Sequence, residues 1–248
     1  MTRIGINTIA YYDRITQGTK QVELLPEIKT LGFDQVEIRR EFLNETNLPS
    51  ELKEIKLAAK KNNLTLFYSI NDEFFKQGKF NQQINNYVEE AELLGAERIK
   101  LNFGSEPNYD SSDLHKELDK LGQNPIKINI ENNQTKEHCN LQEIVTFFEF
   151  CYQQNYRFKF CFDLANWAWT GTLVADAVRE LSSYTDYVHL KNYTVENDQL
   201  IVTSLNRGEL PWQTILELFA KNIDLTLEYN GTKEMIKEDL DTLRKDEE

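Results

Sequence analysis

Residues 126–163, IKINIENNQTKEHCNLQEIVTFFEFCYQQNYRFKFCFD, contain the repeating unit from which the fold can be predicted. The stretch holds two short apolar runs, Ile126 to Ile130 and Phe158 to Phe162, and an acidic residue directly follows each of them. Between the runs, apolar residues recur at the spacing of one helix face: Leu141, Ile144, Val145 and Phe148. A strand, a helix and a second strand in this order form the unit of a parallel sheet that is covered by helices.

The same unit recurs along the whole chain. Including the two runs above, eight apolar runs are predicted to be strands: Arg3 to Thr8, Gln35 to Ile38, Leu64 to Ile70, Arg98 to Phe103, Ile126 to Ile130, Phe158 to Phe162, Tyr187 to Leu190 and Leu225 to Leu227. Their spacing of about 30 residues fits one strand, one helix and two short loops. Eight units predict a single (β/α)₈ TIM barrel that spans residues 1–248 as one domain. A doubly wound open sheet is the alternative, but it usually has fewer strands.

Local signals support this reading of the chain. Gly32 and Gly95 follow two helical stripes at the place of a C-terminal cap, and Asp110 and Asn140 stand where N-terminal caps are expected. Residues 194–203 resemble two short extended pieces around a polar turn, which predicts a hairpin above the barrel. The same segment is also compatible with a tolerated surface insertion.

The composition restricts the partners. The chain has 28 basic and 41 acidic residues and a formal net charge of −13, which disfavours nucleic acid and anionic membranes as partners. Its three cysteines, Cys139, Cys151 and Cys161, form no C-x-x-C pair. They indicate a reducing compartment. We find no signal-peptide pattern and no long apolar segment, so we expect a cytoplasmic protein that does not enter a membrane.

In a (β/α)₈ barrel, the active site lies at the carboxyl ends of the strands. Four predicted strand-end residues are of the types that bind divalent metals: Glu131, Asp163, His189 and Glu228. Each of them alone has a structural explanation, since a strand-end carboxylate often caps a helix or pairs with a cation, and a lone histidine is often part of the core. Together they favour a metal site, because three carboxylates in an apolar mouth would repel one another without a cation between them.

These residues lie within motifs that resemble the xylose-isomerase-like barrel superfamily, specifically its sugar phosphate isomerase/epimerase group. The motifs cover essentially the whole chain, and they are GFDQVEI at 32–38, INIEN at 128–132, CFDLAN at 161–166, VHLKN at 188–192, GELPW at 208–212 and LEY at 227–229. The resemblance implies that Glu131, Asp163, His189 and Glu228 bind one divalent metal. With three oxygen ligands and one imidazole, Mn²⁺, Mg²⁺ or Co²⁺ is favoured, and Zn²⁺ is a further candidate.

The resemblance also implies a metal-dependent isomerase or epimerase that acts on a sugar, a sugar acid or a sugar phosphate. The metal would polarise a carbonyl group while a carboxylate removes the neighbouring carbon-bound proton to give an enediolate. Glu131 and Glu228 are the expected catalytic pair of base and acid. The resemblance leaves a homo-oligomer open, since barrels of this group often pair.

Seven further residues are candidates for binding the substrate: Tyr11, Glu37, Arg39, Asn102, Asn166, Trp167 and Lys191. Arg39 would suit a carboxylate or phosphate on the substrate, and its alternative is a surface ion pair with Glu41. Tyr11 and Trp167 would present exposed rings to a sugar face, and their alternative is packing at the barrel rim.

The chain departs from the family pattern at three positions. Asn166 stands where many members have a histidine, and Asn192 stands where many have an aspartate. Val195 occupies the place of a common arginine, although Arg207 follows later in the same loop. These changes keep a second reading open, in which the barrel binds a sugar or a partner without turnover.

Two other enzyme classes use related chemistry. A dehydratase or aldolase acting on a polyol would use the same enediolate. A phosphoesterase such as an apurinic-site endonuclease needs many histidines for its zinc ions, but this chain has only three, and its net charge is −13. A small-molecule sugar or sugar derivative is therefore the expected partner.

Overall fold

Eight parallel strands close into a barrel in the computed structural model, which describes residues 2–245. The strands in chain order are β1 (Ile4–Asn7), β2 (Gln35–Arg39), β3 (Thr65–Lys76), β4 (Lys79–Phe80), β5 (Arg98–Gly104), β6 (Lys127–Glu131), β7 (Lys159–Asp163), β8 (Thr185–Leu190), β9 (Asn192–Glu196), β10 (Gln199–Thr203) and β11 (Asp224–Leu227). The barrel order is β2-β1-β11-β8-β7-β6-β5-β3, and pairing of β2 with β3 closes it. The predicted (β/α)₈ barrel is confirmed.

Helices surround the barrel. They are α1 (Tyr12–Thr16), α2 (Gln21–Leu31), α3 (Leu48–Lys61), α4 (Ile84–Leu94), α5 (Ser112–Gly122), α6 (Leu141–Gln153), α7 (Asn166–Thr170), α8 (Val174–Leu181), α9 (Trp212–Leu216) and α10 (Lys233–Lys245). Gly32 and Gly95 end α2 and α4 in the left-handed conformation, with φ of 106° and 71°, and Asn140 caps α6. The N-cap predicted at Asp110 is wrong by one residue, because the Ser111 hydroxyl accepts the backbone N–H of Leu114 instead.

The third strand is longer than predicted. The sequence indicated an end at Ile70, but β3 continues to Lys76 and turns back into β4. Its pairing with β5 shifts between Ser69 and Glu73, which is a β-bulge. The polar residues within the bulge interrupt the apolar alternation, so the extension escaped the pattern.

Two apolar clusters lie on opposite sides of the sheet. The larger one fills the space between the strands and the helices, and the smaller one is a layer inside the barrel formed by Phe67, Cys161 and Tyr187. The Arg98 guanidinium stacks under this layer, 4.5 Å from the Phe67 ring and 4.8 Å from the Tyr187 ring. His189 lies against the Tyr187 ring, with ring centroids 4.9 Å apart. The apolar layer therefore separates the polar residues at the amino ends of the strands, the base of the barrel, from the polar residues at the carboxyl ends, its mouth.

The predicted hairpin is present between β8 and α9. Strands β9 and β10 pair in antiparallel register, with Val195 opposite Leu200. Within residues 2–245, no helix has the length and apolar character needed to cross a bilayer.

Candidate active site

The four predicted ligand residues lie together at the mouth. Glu131 ends β6, Asp163 ends β7, His189 lies on β8, and Glu228 directly follows β11. One ligand atom from each residue lies within 4.8 Å of the others, and all four residues are buried. The parallel register makes this possible, since Asp163 pairs with His189 across neighbouring strands.

His189 is the centre of the cluster. Its Nδ1 lies 2.5 Å from Glu131 Oε1 and 3.3 Å from Glu228 Oε2. Its Nε2 lies 2.8 Å from Glu37 Oε2, which also accepts hydrogen bonds from Asn7 Nδ2 at 2.8 Å and the Tyr187 hydroxyl at 3.0 Å. A carboxylate on one ring nitrogen fixes the ring orientation for a metal at the other nitrogen.

This arrangement places Glu37 beneath the imidazole. The Glu37 side chain is completely buried and supports His189, so it does not line the open part of the mouth. Although burial lowers the pKa of His189, Cys161 and the nearby carboxylates raise it well above its ordinary value.

Three cations of the chain contact the ligand carboxylates. Lys100 Nζ lies 2.7 Å from Glu131 Oε2, and Lys191 Nζ lies 2.6 Å from Asp163 Oδ2 and 2.9 Å from Glu228 Oε2. Arg39 Nη1 lies 3.1 Å from Glu228 Oε1. The expectation that the carboxylates lie in an otherwise apolar mouth is therefore wrong, because cations of the chain itself lie between them.

Lys100 does not follow from the pattern of polar residues at strand ends. It lies inside β5 rather than at the strand end, and its side chain is buried in the barrel. The polar alternation of Arg98, Lys100 and Asn102 was the available signal, because residues two apart on a strand face the same side.

The carboxylates of the cluster differ in their proton affinity. Burial raises the pKa of Asp163 to about 7, helped by Glu228 and Glu131 and opposed by Lys191. The pKa of Glu131 is lowered, because Lys100 and His189 outweigh the effect of burial. The pKa of Glu228 is also lowered, because His189 and Lys191 outweigh burial. Glu131 and Glu228 are thus held in the ionised form at neutral pH.

The substrate candidates are placed differently from one another. Lys191 and Arg39 lie at the mouth, each with at least one bond to a ligand carboxylate, and Arg39 Nε also pairs with Glu41 at 2.6 Å. Asn102 is partly exposed near the end of β5, beside Glu131 in the register. Their contact with a substrate stays a prediction.

The expectation of exposed aromatic rings is wrong for Tyr11 and Trp167. Both side chains are buried, with exposures of 5 % and 0 %, and Trp167 packs against Phe162 with ring centroids 5.7 Å apart. These large apolar rings fill the rim instead of facing solvent.

The two asparagines that depart from the family pattern both hold loops. Asn166 Nδ2 donates to the Asn132 carbonyl at 2.8 Å, and its Oδ1 accepts from Gln134 Nε2 at 3.1 Å. Asn192 Nδ2 donates to the carbonyls of Leu205 and Leu210 at 2.9 and 3.1 Å. An aspartate has no N–H donor for these carbonyls. Arg207 points away to Glu238, at 3.7 Å.

The donor set fits one divalent metal ion. Three carboxylates and an imidazole converge, and the second imidazole nitrogen is already held by Glu37. Hard oxygen ligands with one imidazole suit Mn²⁺, Mg²⁺ or Co²⁺. The cluster can therefore hold an ion at His189 Nδ1.

Solved structures share this fold. The 3-keto-D-glucoside 4-epimerase from E. coli is 15 % identical, with a TM-score of 0.65 over 100 % of this chain and 99 % of that chain. A D-tagatose 3-epimerase-like protein is 15 % identical, with a TM-score of 0.70 over 99 % and 97 %. A probable 3-DHS dehydratase from Bacillus anthracis is 13 % identical, with a TM-score of 0.67 over 98 % and 99 %. At these identities, the likeness shows the fold alone.

No curated protein matches the sequence. The family model described as xylose isomerase-like TIM barrel matches residues 25–246, which is most of the chain. The chain belongs to the xylose isomerase-like TIM barrel family.

Proposed function

We propose that the chain is a divalent-metal-dependent isomerase or epimerase of a small sugar or sugar derivative. The observation that carries this proposal is the arrangement around His189, whose Nδ1 faces Glu131 and Glu228 while Glu37 holds its Nε2. The two epimerase-type structures with the same fold support it as well.

Glu131, Asp163, His189 and Glu228 would hold the ion. When bound there, it would supply a Lewis acid that polarises the substrate carbonyl. Glu37 fixes the imidazole, and Lys100 and Lys191 keep the carboxylates ionised and oriented.

Glu131 and Glu228 carry the proton transfer in this proposal. Either ionised carboxylate can take the carbon-bound proton beside the carbonyl. The C–H electron pair then forms the C=C bond and the carbonyl π pair moves onto oxygen, which gives an enediolate. Return of the proton at the neighbouring carbon gives an isomer. Delivery to the opposite face by the other carboxylate, once it is protonated, gives an epimer.

Proton exchange tests this function. We expect protein loaded with Mn²⁺ and incubated with a panel of ketoses in D₂O to place deuterium on the carbon beside the carbonyl, as followed by NMR. Glu131→Gln and Glu228→Gln should each keep the fold and lower the exchange rate by roughly 10²- to 10⁴-fold, because each removes a positioned proton acceptor.

Glu54→Gln, on the exposed side of α3, is the matched control and should exchange at the rate of the parent chain. Full activity in both site variants would refute the catalytic pair. No exchange with any ketose of the panel would refute the proposed function.

A barrel that binds a sugar without turnover is the second candidate. It is favoured by Lys100, Lys191 and Arg39, because these cations already balance charge within the cluster. Metal analysis distinguishes the two functions. A stoichiometric metal after gentle purification, or a rise in Tm with Mn²⁺, supports the enzyme, since a ligand stabilises the folded state that binds it. Absence of both supports the binding barrel.

A further inference from the structure

A histidine and a glutamate form a pair beside the metal cluster but outside it. His138 lies in the turn Lys136–His138, within the loop that connects β6 to α6. Its Nδ1 is paired with Oε1 of Glu73, which lies on β3 directly after the bulge. Neither residue follows from the eight-strand pattern, and neither contacts the four ligand residues.

The register places this pair at the mouth. Glu73 is paired with Asn102 on β5, and Asn102 is paired with Glu131 on β6. The loop that carries His138 also approaches the cluster. Burial raises the pKa of its neighbour Cys139, and the charges of Asp163 and Glu131 raise it further.

The pair has the geometry of an oriented acid–base group. Glu73 holds Nδ1, whereas Nε2 of His138 makes no hydrogen bond within residues 2–245. The His138 and Glu73 side chains are 38 % and 23 % exposed, so the pair is accessible from solvent. A histidine that acts as a base through one ring nitrogen, while a carboxylate holds the other, is a recurring catalytic arrangement.

The other two histidines do not offer this group. His189 is completely buried within the metal cluster, and His115 lies on α5, with its Nδ1 3.2 Å from the Tyr156 hydroxyl. We propose that His138, oriented by Glu73, is a further catalytic residue that transfers protons to and from the substrate oxygens. This inference rests on the proposed isomerase or epimerase function.

The proposed proton transfers need no further reactant. As Glu131 takes the carbon-bound proton, the C–H electron pair becomes the C=C bond, and the carbonyl oxygen takes the Nε2 proton of protonated His138. Glu131 then returns its proton to the neighbouring carbon. The proton of the other enediol hydroxyl passes to Nε2, which restores both residues and leaves the carbonyl on the adjacent carbon.

His138→Asn tests the role in the exchange assay described above. Asparagine carries its amide nitrogen where histidine carries Nδ1, so the bond to Glu73 can persist while Nε2 is lost. We expect kcat to fall by roughly 10²- to 10⁴-fold, with little change in KM or Tm. His115→Asn, at the other partly buried histidine, is the control and should leave kcat unchanged.

A structural role for the pair predicts the opposite result. If His138 only ties the loop to β3, then His138→Asn keeps its kcat, and this outcome overturns the proposal. Added imidazole should restore part of the activity of His138→Gly if the missing group is a proton carrier, and failure to do so also counts against it.

A second measurement does not depend on turnover. The Hε1 NMR resonance of His138, assigned by its loss in His138→Asn, should shift when a sugar hydroxamate that mimics the enediolate binds to the Mg²⁺-loaded protein. Binding of the hydroxamate without this shift overturns the role of His138 alone. No binding and no exchange by the parent chain overturn the proposed function and, with it, this inference.

Discussion

At the scale of single residues, Asp163 shows how a cluster of buried carboxylates changes the pKa of one of its members. Its Oδ1 accepts the backbone N–H groups of Ala165 and Asn166, both at 3.0 Å, and Lys191 lies beside Oδ2. Burial and the charges of Glu228 and Glu131 nevertheless raise its pKa to about 7. The residue thus holds a proton in the folded chain over a pH range in which an exposed carboxyl group is ionised.

This difference makes stability depend on pH. The pKa of Asp163 is about 7 in the folded chain and close to the ordinary 3.8 in the unfolded chain, so the folded state binds more protons between these values. The free energy of unfolding therefore falls as pH rises through this window, by at most about 1.4 kcal/mol per pH unit for this group. Urea unfolding between pH 5 and 7, in buffer with a chelator, measures the slope.

Asp163→Asn should reduce that slope, because the titrating group is gone. His189 contributes in the same direction, since its raised pKa favours the folded state at low pH, so part of the slope remains. Asp13→Asn, on the exposed helix α1, should retain the full slope. An unchanged slope in Asp163→Asn contradicts the assignment.

Some residues of the candidate site can be predicted from the sequence, and others cannot. Glu131, Asp163, His189 and Glu228 follow strand-length apolar runs or lie within one, so their place at one barrel end was predictable. Lys100 could not be predicted in this way, because it lies inside β5 and reaches the cluster from within the barrel. His138 was not found either, since its partner Glu73 lies beyond a bulge that no periodicity marks.

At the scale of elements, the hairpin of β9 and β10 is followed by a loop held by side chains. Asn192 bonds to two carbonyls of this loop, and Asp239 on α10 accepts the Leu205 N–H at 2.8 Å and the Tyr229 hydroxyl at 2.6 Å. Asn192 therefore has a structural role in holding this loop.

Asn192→Asp tests this role. The carboxylate cannot donate to the Leu205 and Leu210 carbonyls, and each buried group left without a partner costs about 1–3 kcal/mol. We expect a lower Tm and faster proteolysis within residues 204–210. Asn197→Asp, at the exposed turn of the same hairpin, is the control and should be neutral, because Asp tolerates the left-handed φ of 49° found there. Equal stability of the two variants would contradict the role of Asn192.

The strands show what periodicity can and cannot supply. All eight barrel strands were predicted, and their ends agree with the structure within two residues except for β3. That strand gains its extension from tertiary packing, since Phe74 and Phe75 bury their rings against Phe147 of α6. A contact between such distant segments leaves no local pattern to read.

At the scale of the whole molecule, a partly buried network of ion pairs holds the end of the barrel at which the parallel strands begin. Arg98 Nη2 lies 2.5 Å from Asp224 Oδ2, its Nη1 lies 3.0 Å from Asp186 Oδ1, and Arg3 binds Asp224 with two nitrogens at 2.8 and 2.9 Å. These bonds join residues on β5, β8 and β11 with the segment before β1. In this fold, such a site at the amino end of the strands serves stability.

Arg98→Met should be strongly destabilising. It removes a buried cation and leaves Asp224 and Asp186 partly unpaired, which costs about 3–5 kcal/mol for a broken buried pair. Chemical denaturation measures this loss. The rise in Tm with Mn²⁺ that the proposed function predicts should remain, because the apolar layer of Phe67, Cys161 and Tyr187 separates this network from the carboxylate cluster. Unchanged stability, or loss of the Mn²⁺ effect, would contradict this division.

The pairing of β1 with β11 has a consequence for biosynthesis. Ile4 lies opposite Leu225, so the barrel closes through contacts between segments that lie far apart in the chain, and the earlier one is synthesised long before the later one. Until residues 224–227 have been made, β1 and β8 each lack a neighbour, and exposed strand edges invite intermolecular pairing. Closure at such long range is also slow, because the chain loses much conformational entropy before these contacts form. The nascent chain therefore passes through a stage in which the sheet is open and the edges of β1 and β8 are unpaired.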